Sequence, residues 1–210
     1  MKIIFTVIYL LAALIVITGF YIQVNKYLRS MVMTQALQSF IIALIAFLLG
    51  IALRQYTFFI LGALVILLRT VLVTYFLASK IPKNKNYLYE SKLPTTYYLL
   101  VDLAFIVVSI FIVYSISFIH IVSLIFPDSD IILFPLLLFF QGLFIIASRK
   151  RTIAQILGYI EEENSLILLG TFILPVPIII ESSVFLDVLV LVVIFSIISK
   201  SYCNCVPCSI

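Results

Sequence analysis

Long apolar segments alternate along this chain with short polar breaks. Each segment is about as long as the roughly 20 residues that an α-helix needs to cross the hydrocarbon layer of a bilayer. The breaks hold charges, amides or prolines, as at Arg54 and Gln55 or at residues 127–130. The pattern predicts seven membrane spans, near residues 3–23, 32–53, 56–78, 97–121, 131–148, 153–174 and 178–199.

Composition supports the same interpretation. Hydrophobic residues make up 65% of the chain and charged residues 10%, and the mean hydropathy is +1.32. Soluble domains have roughly 45–50% apolar and about 25% charged residues, so a soluble enzyme, a secreted disulfide scaffold and a DNA-binding module are excluded. Backbone groups in lipid must be bonded internally, and the strand alternation of a membrane barrel is missing from the sequence. We therefore predict an all-α, polytopic membrane helix bundle.

Positive charges between the predicted spans fall mostly on one side, if the spans alternate. Cytoplasmic loops carry the excess of Lys and Arg, so the amino terminus is predicted outside and the carboxyl terminus in the cytoplasm. A multi-pass protein of a prokaryotic cell membrane is expected. The charges lie in breaks rather than along one face, which argues against nucleic acid as a partner. Ten basic residues share the cytoplasmic side, namely Lys26, Arg29, Lys80, Lys83, Lys85, Lys92, Arg149, Lys150, Arg151 and Lys200, and two, Lys2 and Arg54, lie opposite.

This orientation gives a direct prediction for tags fused to the two termini. They should be accessible from opposite sides of the membrane, with the carboxyl-terminal tag in the cytoplasm, because the charge bias fixes which loops stay inside. Protease protection in sealed vesicles measures this. Accessibility of both tags from one side would contradict the seven-span arrangement.

Five acidic residues fall inside the last two predicted spans, where each ionised group costs roughly 2.5–3.5 kcal/mol. They must therefore face protein or water, or carry a proton. Consecutive residues of a helix point about 100° apart, so three consecutive glutamates cannot all serve one narrow path. Crowded carboxyl groups at low dielectric can gain and lose a proton near neutral pH. The candidates for a proton or ion pathway are Glu161, Glu162, Glu163, Glu181 and Asp187.

An alternative leaves these glutamates outside the membrane. Residues 161–164 would then form an interfacial loop, and the sixth span would shrink to residues 165–180. That span would be shorter than the usual minimum of about 17 residues and would contain Pro175 and Pro177. The turn at these prolines is the better break between the sixth and seventh spans.

Arg69 in the third predicted span and Asp102 in the fourth lie at similar depths from the cytoplasmic side. We predict a structural ion pair between them. Gln141 and Gln155 are predicted to form hydrogen bonds between helices. The single histidine, His120, is expected near the outer end of the fourth span, in contact with solvent.

Motifs for catalysis or cofactor binding are missing from the sequence, which has no Gly-rich phosphate loop, catalytic triad or metal-ligand spacing. We expect no cofactor and no metal. Cys203, Cys205 and Cys208 follow the last span as C-x-C-x-x-C. An iron–sulfur cubane takes four cysteines and prenylation needs a cysteine fourth from the end, so these are interpreted as incidental thiols.

Residues 149–164 read RKRTIAQILGYIEEEN, and ESSVFLD follows at residues 181–187 after the proline-containing turn. This region resembles hydrogenase-4 component E, a membrane subunit of group 4 nickel-iron hydrogenases, and is similar to subunit K of respiratory complex I. The resemblance covers about residues 149–190. Gly158, Glu163 and Asn164 match the family element G-Y-x-x-x-E-N, and Glu181 matches a buried glutamate of the following helix.

The resemblance implies a non-catalytic membrane subunit whose buried carboxylates contribute to translocation of protons or Na⁺. Its implied partners are other membrane subunits, including antiporter-like ones. It divides the chain into a five-helix part at 1–148, a two-helix carboxylate part at 149–200, and a cysteine-containing tail at 201–210, with the span 131–148 completing the three-helix unit. Two other functions stay open: a free-standing small ion-coupled transporter or channel, and a purely structural helix bundle.

Overall fold

The computed structural model describes residues 2–80, 94–117, 129–149 and 151–173, and these residues are almost entirely helical. A π-helical segment joins α3 to α4, so residues 56–80 form one continuous rod. A short 3₁₀ turn, Ser129–Ile132, leads into α6. In chain order the helices are α1 Lys2–Val24, α2 Leu28–Leu53, α3 Tyr56–Val65, the π-helical segment Ile66–Val73, α4 Thr74–Lys80, α5 Thr95–Ser117, α6 Leu133–Ser148 and α7 Thr152–Ile173.

Within these described ranges, five helices are long and apolar enough to cross a membrane. Their bounds agree with the first five predicted spans to within four residues. The exception is the predicted end of the fourth span, residue 121, which lies outside the described residues. The seventh predicted span, 178–199, lies outside the described residues, so the number seven stays a prediction. The five are Ile3–Val24, Leu28–Leu53, Tyr56–Ser79, Thr96–Ser115 and Asp130–Ser148.

The helix α7 corresponds to the sixth predicted span, 153–174, and has 22 residues. Its apolar sequence is interrupted by the three glutamates, yet the helix runs through them without a break. The alternative in which residues 161–164 form an interfacial loop is therefore wrong. Because α7 packs against both α6 and α2, more than one of its faces is covered by protein.

Two apolar clusters form the core, and a layer of polar side chains separates them. In α2, apolar residues of one cluster end at Val32 and those of the other begin at Ile41. In α7, the corresponding residues end at Ile160 and begin again at Ile167. We call the buried residues between the clusters the polar layer: Gln35, Gln38, Ser39, Arg69, Asp102, Gln141, Glu161, Glu163 and Asn164.

Glycines bring α6 and α7 into backbone contact at this depth. A Cβ atom on Gly158 would lie 2.9 Å from the carbonyl oxygen of Gly142, and a Cβ atom on Gly142 would lie 2.7 Å from the backbone nitrogen of Glu162. Small residues that let two backbones approach are typical of helix pairs in membranes. The contact sets the position of the glutamates relative to α6.

We expect Gly158→Ala to destabilise the protein by about 1–3 kcal/mol, because the new methyl group meets backbone atoms that cannot move without separating the helices. Unfolding of the purified protein in detergent measures the change. Gly50→Ala is the matched control, since its Cβ atom would meet the ring of Phe59 at 2.8 Å. A side chain can rotate away, so a Gly158 variant no less stable than the Gly50 variant would contradict the backbone contact.

Candidate ion-pathway site

The side chain of Arg69 is buried in the polar layer and is bonded to α7. Its Nη2 atom lies 2.9 Å from Oε2 of Glu163, and the two side chains are 1% and 5% exposed. Nη1 donates to Oδ1 of Asn164 at 3.0 Å and to the carbonyl oxygen of Ile160 at 3.5 Å. Three acceptors on one helix thus hold the guanidinium group. Breaking a buried pair by removing one partner costs roughly 3–5 kcal/mol, so the two residues depend on each other.

The predicted ion pair of Arg69 with Asp102 is therefore wrong, because the guanidinium group of Arg69 forms its ion pair with Glu163. Asp102 accepts a hydrogen bond from Nε2 of Gln141 at 3.3 Å instead. The physical reason is the arrangement of the helices. The π-helical segment with Arg69 packs against α2, whereas α5 with Asp102 packs against α6 and α1. Equal depth did not imply contact.

The π-helical geometry coincides with the position of Arg69. Within Ile66–Val73, Arg69 and Val73 are buried, and Oγ1 of Thr74 donates to the carbonyl oxygen of Arg69 at 3.3 Å. A π-helix has hydrogen bonds between residues five apart, so its turn is wider than that of an α-helix, and it is rare. Short π-helical stretches occur frequently at functional sites, which fits a segment that carries the buried arginine.

Asn164 connects this ion pair to α2. Its Nδ2 atom lies 3.1 Å from Oε1 of Gln38 and 3.3 Å from Oγ of Ser39. Gln35 also donates to Oε1 of Gln38, at 2.9 Å, and Gln38 donates to the carbonyl oxygen of Ile15 at 3.4 Å. Hydrogen bonds therefore link the ion pair through α7 and α2 to α1.

Glu161 lies on another side of α7, against α1 and α6. Its side chain is fully buried and interacts with Gln38 of α2, but among the described residues no donor lies in hydrogen-bonding geometry within 3.5 Å of either carboxyl oxygen. A Cβ atom on Gly19 would lie 2.4 Å from Oε1 of Glu161 and 2.5 Å from Oε1 of Gln141. A methyl group at position 19 would displace these two oxygens from their positions. Glu161 also interacts electrostatically with Asp102.

A second group of hydrogen bonds runs from Gln141 to Arg149. Nε2 of Gln23 donates to the carbonyl oxygen of Gln141 at 3.5 Å, and Arg149 in turn donates to the carbonyl oxygen of Gln23. The guanidinium group of Arg149 is 5.2 Å from the ring centroid of Tyr98 and is 2% exposed. These contacts extend from the polar layer at Gln141 to a second buried arginine at the end of α6.

The two glutamines that were predicted to bond between helices do so in different ways. The prediction for Gln141 is confirmed, since its bond to Asp102 joins α6 to α5. Nε2 of Gln155 on α7 donates at 2.8 Å to the carbonyl oxygen of Arg149, the C-cap residue of α6. Its hydrogen bond therefore connects the ends of two consecutive helices across their turn.

Two of the predicted pathway glutamates are buried, on different sides of α7. Glu161 and Glu163 are buried in the polar layer, whereas Glu162 is half-buried. This agrees with the prediction that three consecutive glutamates cannot all face one path. Glu181 and Asp187, and the cysteines of the tail, lie outside the described residues.

Sequence reasoning missed several members of the site. Gln35, Gln38 and Ser39 were not singled out, although three polar residues in the middle of an apolar span are a usable signal for contacts between helices. Gln23 is the last residue of the first predicted span, 3–23, and Arg149 directly follows the fifth, 131–148. Their burial depends on how α1 packs against α6, which the local pattern does not contain.

Comparison with known proteins gives this chain no relative. No family model, no curated protein and no solved structure matches it.

Proposed function

We propose that this chain is a non-catalytic integral membrane subunit of a membrane-bound hydrogenase or complex I-like oxidoreductase, and that its buried carboxylates carry protons or Na⁺ during translocation. The polar layer is the observation that supports ion movement. Acidic residues at such depth are costly and mark ion pathways and proton relays in membrane proteins. The class of complex is inferred from the sequence resemblance of residues 149–190 alone.

The pair of Arg69 and Glu163 supplies a physical basis for coupling. A proton that arrives at Glu163 neutralises the carboxylate and leaves the buried guanidinium group with only neutral acceptors on α7. An uncompensated buried charge is unfavourable by several kcal/mol, so protonation favours movement of the arginine or of its helix. Asn164 and Gln38, which do not titrate, keep the neighbouring groups aligned through hydrogen bonds.

A free-standing ion-coupled transporter is the second candidate, and one observation favours it. The polar layer combines residues of α2, the π-helical segment, α5, α6 and α7 of one chain. One chain thus supplies buried carboxylates and a buried arginine, which are the groups that a small ion-coupled transporter needs. The two functions differ in whether the protein is bound to other subunits in the membrane.

Gentle solubilisation and affinity purification from native membranes therefore test the proposal. We expect hydrogenase-like or antiporter-like subunits to co-purify and to be identified by mass spectrometry. Recovery of a homo-oligomer without such subunits would contradict the subunit assignment. It would favour the transporter if the reconstituted protein still moves ions.

A further inference from the structure

Buried oxygen atoms without hydrogen-bond donors surround Gly19. Among the described residues, the side-chain nitrogens of Gln23 and Gln141 each donate one hydrogen bond, to the carbonyl oxygen of Gln141 and to Asp102. Each amide nitrogen has one further N–H group, so two donors face five unpaired oxygen atoms. The unpaired acceptors are both carboxyl oxygens of Glu161, Oε1 of Gln141, Oε1 of Gln23 and Oδ1 of Asp102.

These side chains meet at one place from four helices. Oε1 of Glu161 and Oε1 of Gln141 both lie close to the position of a Cβ atom on Gly19, so they are no more than about 5 Å apart. The amide of Gln141 reaches Asp102 on α5 at 3.3 Å. Gln23 follows Gly19 by one helical turn on α1, and its side chain contacts Gln141. All four residues are at most 8% exposed.

A single proton does not satisfy this cluster. Even if the second N–H groups of both amides also found acceptors, one proton on Glu161 would leave some of the five buried oxygens without a donor, which is unfavourable for each of them. A metal cation accepts several oxygen ligands at once, and carboxylate and amide oxygens are the ligands that hard cations prefer. The number of oxygens therefore favours a metal cation.

Charge selects a monovalent ion. Glu161 and Asp102 contribute two negative charges when ionised. The buried guanidinium group of Arg149 contributes one positive charge nearby, because it lies over the ring of Tyr98, which is one turn from Asp102 on α5. The remaining single negative charge is neutralised by one monovalent cation. A divalent ion would leave the interior with an excess positive charge.

We propose that Glu161, Asp102, Gln141 and Gln23 form a binding site for Na⁺ beside Gly19. The site rests on the proposed function and specifies it, because it makes Na⁺ an ion that the polar layer binds. The lack of a side chain at position 19 is part of the site, since a methyl group there would displace the two nearest oxygens.

The experiment compares the purified full-length protein in NaCl and in choline chloride at equal ionic strength. Binding of Na⁺ to the folded state stabilises it by RT ln(1 + c/Kd), where c is the concentration of Na⁺. We therefore expect an unfolding midpoint that rises with the logarithm of the NaCl concentration, and retention of ²²Na⁺. Glu162→Gln, which changes a half-buried carboxylate on the same helix, should behave as the unchanged protein. Glu161→Gln and Asp102→Asn should lose the response to Na⁺, and Gly19→Ala should lose it if the variant folds.

Equal midpoints in NaCl and choline chloride would overturn the Na⁺ site, as would a full response to Na⁺ in both Glu161→Gln and Asp102→Asn. A midpoint that depends on pH but not on Na⁺ would also overturn it, because the cluster would then bind only a proton. Failure of the site is distinct from failure of the proposed function. Proton movement without Na⁺ binding removes the site alone, whereas Na⁺ binding without ion movement supports the site and contradicts the function.

Discussion

Replacing Arg69 with methionine is expected to destabilise the protein by about 3–5 kcal/mol, because Glu163 then loses its buried cationic partner. Methionine keeps most of the length and volume of the arginine side chain, so the loss reports on charge and hydrogen bonding more than on packing. Unfolding in detergent measures the difference. Arg29→Met is the matched control, since Arg29 is exposed near the start of α2 and its replacement should change stability by no more than about 0.5 kcal/mol.

The double variant Arg69→Met with Glu163→Gln should be more stable than the sum of the two single changes predicts. Removing both charges leaves neither of them buried without compensation, whereas each single change does. The difference is the interaction energy of a double-mutant cycle. Strict additivity would show that the ion pair contributes nothing to stability. Asp102→Asn in place of Glu163→Gln should show weaker coupling to Arg69, because Asp102 bonds to Gln141 instead.

The positions of the helices along the chain could be predicted because they depend on local properties. A run of about 20 apolar residues and the polar residues that end it are visible without any knowledge of neighbours. The predicted span 56–78 and the helix Tyr56–Ser79 differ by one residue at one end. The π-helical segment within it was not predicted, since nothing in the local pattern of Ile66–Val73 distinguishes a π-helix from an α-helix that contains one arginine.

The partners of the buried charges could not be predicted in the same way. Depth in the membrane gives one coordinate of a side chain, and Arg69 and Asp102 share it. The other coordinates depend on which helices are neighbours, and this follows from contacts such as Gly142 with Gly158. Glu161 shows the same limit. Its burial requires protein on a second face of α7, which α1 and α6 supply around Gly19.

Glu163→Gln is expected to lower coupled ion translocation per molecule of folded, assembled protein about tenfold or more, beyond the loss of stability that follows from leaving Arg69 without its buried anionic partner. Glutamine keeps the shape of the side chain and can still accept a hydrogen bond from Arg69 through its oxygen, but it cannot gain and lose a proton. Reconstituted vesicles with a pH-sensitive dye measure proton movement, and parallel assays in NaCl and choline chloride measure its dependence on Na⁺. Glu162→Gln is the control, because it removes one negative charge from the same helix at a side chain that is only half-buried.

The resemblance implies that Glu181→Gln has the same effect, since Glu181 matches the buried glutamate of the following helix in the family. A relay needs every titrating member, so the double variant Glu163→Gln with Glu181→Gln should be no slower than the slower of the two single variants. Unchanged proton movement in this double variant would remove both glutamates from the pathway. If Glu161→Gln abolished movement in the same vesicles, the cluster around Gly19 would be the pathway and the pair of Arg69 and Glu163 a structural element.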